Sequence, residues 1–481
     1  MNTRLRFCLI YLWLVFACPL MVAQKGTTTA HCPLMKVEVD SLPPLNIPRA
    51  GHAVFYVNGE LTVSGGHTSG FVPTPTAEYY KDGEWHVIQM VYNHDFGMSV
   101  VLKSGKVLLA GGVSDNIGVG QTYTAELYDP LTHTFNGFGS MEVKRAGFSA
   151  LELDSGRVVV SGNWYHNDGI EVFDGQKRFI YIKDVAVQRS TPRIFRISQD
   201  DALIVGGSGV KGDSLFTATA DRLKGDTIHV PLLETWYLPT IWSHRDAECF
   251  IGNESKGEYI YLLPVQDSNG QVAIAKVDNG DFSLLPTEGP VPTQCQGEGI
   301  EYSGHITVDH QAQRAYMVGI SSYFRTSLEK SLRFYFLCID YAKVLSGQSA
   351  PLTLYYTDPL PFIPDYPPIL TPEGDLVMAG GLTGNSNFTP SKYVLLFHLT
   401  TPAVAAAQGH RYWLWVALAV VLMALLLVFV LLKRRQAHRE DTPQCECGDD
   451  NLDNLHDSAN DELMQRIRDY WNSRRSIRMP I

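Results

Sequence analysis

Arginine, histidine and aromatic residues recur in the polar segments that flank short β-rich runs of this chain. An arginine offers a planar fork of N–H donors that matches a carboxylate, and the flat apolar faces of Trp and Tyr suit a sugar ring. Together these residue types predict a site for a glycan, an acidic sugar or an envelope protein. The candidates are Arg49, His52, Arg145, Trp164, Tyr165, His166, Arg193, His244, Arg245 and Arg325.

A sequence repeat must position these residues. Each copy contains a turn, a short β-rich run and a glycine-rich ending, and the period is roughly 45–60 residues. Four strand-like pieces make up each copy, joined by tight turns such as Asp82-Gly83, which favour a left-handed backbone. Seven phased copies are found, of which two are degenerate. Their endings are Gly65-Gly66, Gly111-Gly112, Gly162, Gly206-Gly207 and Gly380-Gly381, with weaker copies at Tyr259–Leu262 and Ala315–Gly319.

The best copies carry a recognisable motif. In the first, the glycine pair is followed by Tyr80 and Trp85, and in the second by Tyr128 and Phe135. This pattern resembles the kelch motif over residues 35–400. The resemblance implies an all-β fold, a seven-bladed kelch-type β-propeller of the galactose oxidase/kelch type, in a membrane-anchored bacterial member. It also implies that the candidate residues crowd one face around a central channel.

The two ends of the repeat region are complementary. The last copy, Ile369–Leu399, has three strand-like pieces, whereas Met35–Val39 precedes the first copy and looks like a fourth strand. We therefore expect the N-terminal strand to complete the last blade and close the ring. Closure removes the open sheet edge that would otherwise invite aggregation.

Both termini carry targeting signals. Residues 1–23 read as a signal peptide, with a basic start and an apolar run, although acylation at Cys18 remains an alternative. After a linker at 401–411, residues 412–432 contain no charge and precede Lys433, Arg434 and Arg435. This pattern predicts a transmembrane helix with the basic side in the cytoplasm. We expect a single-pass protein of the cell membrane, with its propeller on the periplasmic or extracellular side.

The cytoplasmic tail, residues 433–481, ends in a predicted amphipathic helix at 460–475. Leu463 and Ile467 form part of an apolar stripe at helical spacing, which would need a cytoplasmic partner, a second copy or the membrane surface. Residues 461–470 resemble the lead-in to DNA-binding domains of the arabinose-regulator type, but the helix-turn-helix units are absent. With a net charge of −11, no nucleic-acid partner is expected.

Binding is favoured over catalysis, and two alternatives stay open. One is a kelch-type enzyme, such as a sialic acid epimerase or a galactose-oxidase-like oxidoreductase, and the other is a transmembrane sensor with a truncated output. The sequence contains no nucleophile or phosphate-binding motif. No catalytic residue, metal or cofactor is therefore predicted. Of the ectodomain cysteines, Cys249 and Cys295 are the pair that we expect to form one disulfide, if any.

Overall fold

The computed structural model describes residues 32–115, 120–164, 169–174, 178–207, 219–238, 249–321, 331–365, 367–383 and 389–399, together with Gln465 in a helix. Within these residues, none of the helices has the length and apolar character required to span a bilayer. The predicted signal peptide, the linker, the transmembrane helix at 412–432 and the tail lie outside the described residues, apart from Gln465.

Seven β-sheets, one per sequence repeat, form a seven-bladed propeller. The N-terminal strands are Leu34–Lys36 (β1) and Glu38–Ser41 (β2). Blade 1 comprises Ala53–Val57 (β3), Glu60–Ser64 (β4), Thr76–Lys81 (β7) and Glu84–Gln89 (β8), with a hairpin of His67–Thr68 (β5) and Val72–Pro73 (β6). Blade 2 comprises Met98–Val101 (β9), Val107–Ala110 (β10), Thr122–Asp129 (β11) and Thr134–Arg145 (β12). Blade 3 comprises Ser149–Glu152 (β13), Val158–Ser161 (β14), Ile170–Phe173 (β15) and Phe179–Lys183 (β16).

The remaining four blades are less regular. Blade 4 contains Arg193–Ser198 (β17), Asp201–Val205 (β18), Thr219–Arg222 (β19) and Ile228–His229 (β20). Blade 5 contains Trp236–Tyr237 (β21), Ile260–Asp267 (β22), Val272–Asp278 (β23) and Asp281–Leu284 (β24). Blade 6 contains Gln294–Cys295 (β25), Glu298–Asp309 (β26), Arg314–Ser321 (β27), Phe334–Asp340 (β28) and Leu352–Tyr356 (β29), with the helix Tyr341–Leu345 (α1). Blade 7 contains Phe362–Ile363 (β30), Ile369–Leu370 (β31), Leu376–Ala379 (β32), Leu382–Thr383 (β33) and Val394–His398 (β34). The 3-10 turn Pro231–Glu234 precedes blade 5, and the 3-10 turn Glu254–Lys256 lies between β21 and β22 of that blade.

The N-terminal segment closes the ring, as the sequence predicts, but it does so with two strands. β2 pairs antiparallel with β34 and is the fourth strand of blade 7. β1 pairs in parallel with β29 and adds an outer strand to blade 6. The sequence placed the closing strand at Met35–Val39, which the structure corrects to Glu38–Ser41. Val37, at 3% exposure, is the buried residue between these two strands.

The glycine pairs end the second strands where two chains approach closely. At Gly66 the backbone has φ +75°, and a Cβ there would lie 2.4 Å from the carbonyl oxygen of Ala50 and 2.7 Å from Cβ of His52. A side chain at this position would therefore clash with the start of the same blade. This close approach and the positive φ are the physical reasons for glycine at this position.

Apolar residues of neighbouring blades form the core between the sheets. The largest cluster joins blades 4, 5 and 6, and it includes Cys249 and Cys295. The expected disulfide between these two is not formed, because both are thiols in this structure. Burial raises the pKa of the Cys295 thiol, as an apolar environment disfavours the thiolate.

Candidate functional site

Two predicted ligand-binding arginines lie inside the blades. The guanidinium of Arg145 donates to Glu171 Oε1 (2.8 Å), to the carbonyl oxygen of Gly162 (2.9 Å) and to that of Gly169 (2.9 Å). Arg49 contacts Glu78 Oε1 at 3.1 Å in the same way. Both arginine side chains are 0% exposed. We call each buried pair of cation and carboxylate a clamp.

The clamp recurs in the first four blades. Its cation precedes the first strand of a blade, and its carboxylate lies on the third strand of that blade. Blade 2 has a histidine, which is a cation only when protonated, where the others have an arginine. The four pairs are Arg49–Glu78, His94–Glu126, Arg145–Glu171 and Arg189–Asp221. Because the carboxylates also accept backbone N–H groups of the preceding segments, each clamp orients the connection that enters its blade.

Two residues after the arginine or histidine of each clamp lie Gly51, Phe96, Gly147 and Thr191. Backbone hydrogen bonds link these four residues at one mouth of the channel, and we call them the collar. The N–H of Phe96 donates to the carbonyl of Gly51 (2.8 Å), that of Gly147 to Phe96 (3.4 Å), and that of Thr191 to Gly147 (2.9 Å). Asp365 of blade 7 accepts the N–H of Gly51 at 2.5 Å. All four collar residues have positive φ. Phe96 and Thr191 hold a strained conformation that costs about 1–3 kcal/mol each, and such strain often marks functional sites.

The repeat provides an internal comparison for this face. The residue between clamp and collar is Ala50 in blade 1, Ala146 in blade 3 and Ser190 in blade 4, but it is Asp95 in blade 2. The Asp95 carboxylate accepts a hydrogen bond from Nδ1 of His67 at 2.7 Å. A buried acid thus replaces a small residue at one blade, which distinguishes this part of the collar from the rest.

An aromatic arc extends along the collar beside this pair. We define it as Phe71, His67, Phe96 and Trp164, whose successive ring centroids lie 4.8, 5.5 and 5.2 Å apart. The four residues come from loops of blades 1, 2 and 3. Phe71 is 58% exposed and has φ +55°. The arc therefore joins the exposed ring of Phe71 to the buried ring of His67 and the half-buried rings of Phe96 and Trp164, with the Asp95 carboxylate bonded to its histidine.

The described charges on this face are mainly carboxylates. Burial raises the pKa of Asp95, although the His67 ring opposes the rise. Burial also raises the pKa of Asp365 to about 7, and Asp95 acts in the same direction. Nδ1 of His52 lies 4.0 Å from Asp365 Oδ1, and its Nε2 donates to the carbonyl of Ala379 at 2.8 Å. Asp365 can therefore hold a proton near neutral pH.

Replacing Asp365 with asparagine is expected to flatten the dependence of stability on pH. The folded state holds this proton to about pH 7, whereas an ordinary aspartate loses it near 3.8. The folded state therefore binds more protons in that window, and stability falls as pH rises through it. We expect a loss of roughly 4 kcal/mol that Asp365→Asn removes. Urea unfolding across this range measures it, and parallel profiles for the two proteins would contradict it.

The structure separates the predicted site residues. Trp164 lies on the arc and His52 beside the collar, while Arg49 and Arg145 belong to clamps. Arg193 donates to the carbonyl of Gly304 in blade 6 at 2.5 Å. The remaining candidates, Tyr165, His166, His244, Arg245 and Arg325, lie outside the described residues.

None of His67, Asp95, Phe71, Phe96 and Asp365 is among the ten candidate ligand-binding residues that the sequence indicated. One signal was available, because alignment of the repeats places Asp95 where other blades carry Ala or Ser and places Phe96 where blades 1 and 3 carry glycine. The same alignment places Asp365 at the collar position of blade 7, because it lies 15 residues before Gly380, as Phe96 lies 15 residues before Gly111.

Comparisons with known proteins leave the function open. No protein-family model matches the chain, and no curated protein matches it. The fold is similar to that of a fungal alcohol oxidase of the AA5 family in complex with copper, at 12% identity and a TM-score of 0.49, over 76% of each chain. It is also similar to that of YjhT, at 10% identity and a TM-score of 0.41, over 75% of this chain and 98% of that one. Neither likeness bears on function, and strand pairing alone establishes the seven-bladed propeller.

Proposed function

We propose that this chain is a membrane-anchored extracytoplasmic binding protein of the kelch type, whose propeller recognises a glycan on its collar face. The observation that supports this most directly is the aromatic arc beside the His67–Asp95 pair. Ligand sites commonly combine apolar and aromatic walls with a few fixed polar groups.

The charges on this face favour a neutral glycan over an acidic sugar. The clamps use the guanidinium groups of Arg49 and Arg145 internally. The carboxyl groups of Asp95 and Asp365 lie beside the arc and would repel an anion when ionised. A hydroxyl-rich ligand can instead donate to these carboxylates and stack on the rings. An envelope protein that presents similar groups is an alternative ligand.

Membrane anchoring is part of the proposal, and it rests on the uncharged stretch at 412–432 and the basic residues that follow. The tail at 433–481 would then meet a cytoplasmic partner. Cell fractionation with alkaline extraction tests the anchor. Release of the full-length chain into the alkaline supernatant would contradict it.

Removing the arc's rings is expected to weaken glycan binding. Trp164→Ala and Phe71→Ala should each reduce affinity roughly tenfold, because a stacked ring contributes about 0.5–1.5 kcal/mol. A glycan array with the full-length protein, followed by titration of the best ligand, measures this. Tyr181→Ala, on the outer strand of blade 3, is the matched control and should bind normally. If the parent protein binds no glycan, or if the parent and the three variants bind equally well, the proposal is contradicted.

A second candidate function is acid–base catalysis on a sugar. Asp365, with its pKa raised to about 7, could exchange a proton with a substrate, and the His67–Asp95 pair could act as its counterpart. Mutarotation and epimerisation assays on sialic acid and on neutral sugars test this. Activity that is lost in Asp365→Asn would favour it, and no activity on either class would remove it.

A further inference from the structure

The central channel contains a cavity at the face opposite the collar. We call this the turn face, because the connections between first and second strands lie there. The cavity measures about 420 Å³ and is lined by residues of all seven blades. Its wall is largely apolar, with Val100, Leu151, Val308 and Ile369 among the lining residues. Its volume falls in the range of small-molecule sites, about 300–1,000 Å³.

A network of charged side chains borders the cavity on one side. Lys103 Nζ contacts Asp154 Oδ1 at 2.8 Å and Glu254 Oε2 at 3.0 Å. The guanidinium of Arg196 contacts the same oxygen of Asp154 at 2.5 Å, and it also contacts Glu254. Lys103 and Arg196 are therefore neighbours, each one hydrogen bond from a shared carboxylate oxygen. Glu152 joins them, since its Oε2 accepts the backbone N–H of Lys103 at 2.7 Å.

This network leaves hydrogen-bonding capacity unused at the cavity. Nε of Arg196 is buried, since the side chain is only 6% exposed, and it has no acceptor among the described residues. The ammonium of Lys103 has three N–H groups and, in the same part of the chain, two acceptors. Of the two carboxylate oxygens of Glu152, Oε2 accepts the backbone N–H of Lys103. A buried donor without a partner costs about 1–3 kcal/mol, so a polar ligand group there would be stabilising.

We propose that the turn-face cavity binds a small zwitterion of the α-amino-acid type with an apolar side chain. Its carboxylate accepts from Arg196 Nε and Lys103 Nζ, and its ammonium donates to Glu152. The side chain packs against the apolar wall. Carboxylates and cations lie side by side here, so the carboxylate and the ammonium of a zwitterion each find a group of opposite charge. A simple anion or a simple amine would each leave one of these complementary groups unused.

This site is independent of the glycan proposal, because it lies at the other end of the channel. L-Leucine is the probe, titrated calorimetrically into the full-length protein. We expect saturable binding, with affinity at least tenfold lower for 4-methylpentanoate, which lacks the ammonium, and for isoamylamine, which lacks the carboxylate. Glycan binding at the collar should not change when leucine is present.

Glu152→Gln and Val101→Trp test whether leucine binds in the turn-face cavity. Glu152→Gln keeps an oxygen for the Lys103 N–H but loses the charge, so leucine affinity should fall at least tenfold. Glu84→Gln, on the exposed outer strand of blade 1, should leave it unchanged. Val101, which lines the cavity and is 44% exposed, can be replaced by Trp from the solvent side to fill the cavity and abolish binding. No heat with leucine or phenylalanine at millimolar concentration, or unchanged affinity in Glu152→Gln and Val101→Trp, would overturn the proposal.

Discussion

Replacing Arg145 with methionine is expected to lower the free energy of unfolding by about 3–5 kcal/mol. The variant leaves the Glu171 carboxylate buried without its cation, and breaking a buried pair from one side has a cost of this size. It also removes the donors for the carbonyl groups of Gly162 and Gly169. Chemical denaturation of the purified protein measures the loss.

Two control variants test whether the unpaired carboxylate of Glu171 causes this loss of stability. Arg145→Met combined with Glu171→Leu should recover part of the lost stability, because no charge then remains buried. Recovery should be incomplete, since two carbonyl groups and the N–H of Glu142 lose their partners. Arg178→Met breaks an ion pair whose arginine is 77% exposed, and it should change stability by less than about 1 kcal/mol. Equal losses in Arg145→Met and Arg178→Met would contradict the clamp interpretation.

Replacing Val37 with aspartate is expected to open the propeller ring and lower the free energy of unfolding by roughly 3–5 kcal/mol. Val37 is 3% exposed, and its N–H donates to the carbonyl of Tyr356 at 2.8 Å. It lies between the strand that pairs with blade 6 and the strand that completes blade 7. A buried charge there should release both strands together.

Release of β2 would expose β34 as an unpaired edge, and such edges pair with other chains. We therefore expect concentration-dependent oligomers in size-exclusion chromatography as well as the stability loss. Val91→Asp, at a position 49% exposed, is the matched control and should remain monomeric. A Val37→Asp protein that is monomeric and as stable as the parent would show that closure does not depend on this segment.

The contrast between well and poorly predicted elements has a physical basis. β3 lies at Ala53–Val57, as its apolar run and following turn indicate, because strand periodicity and turn residues are local signals. Blade 5 has weak sequence signals, and among its described residues the first strand, β21, has only two residues, while Phe250 forms an isolated bridge with Tyr261. The pairing of β1 was not foreseen, since its parallel pairing with β29 depends on contacts more than 300 residues apart.

At the candidate site, residue type did not indicate function until the bonding partners of each residue were known. An arginine at the entrance to a blade fits either an external carboxylate or an internal one. The sequence contains Glu78 and Glu171, but their distance from Arg49 and Arg145 depends on how the first and third strands of a blade pair with the second. Conversely, Trp164 was identified from its type, whereas its ring neighbour Phe96 gained meaning only through the collar.

The amino-acid sequence by itself determined the repeat, the glycine positions and the complementary ends, and hence the seven-bladed ring. These features are local or periodic, so they can be read along the chain. Only the tertiary structure decided which charges face a ligand. It enclosed Arg49 and Arg145 with carboxylates, brought Asp95 and Asp365 to one mouth of the channel, and placed Arg196 at the other. Burial and pairing determine whether a charged residue supports the fold or remains available for binding, and both arise only when distant strands meet.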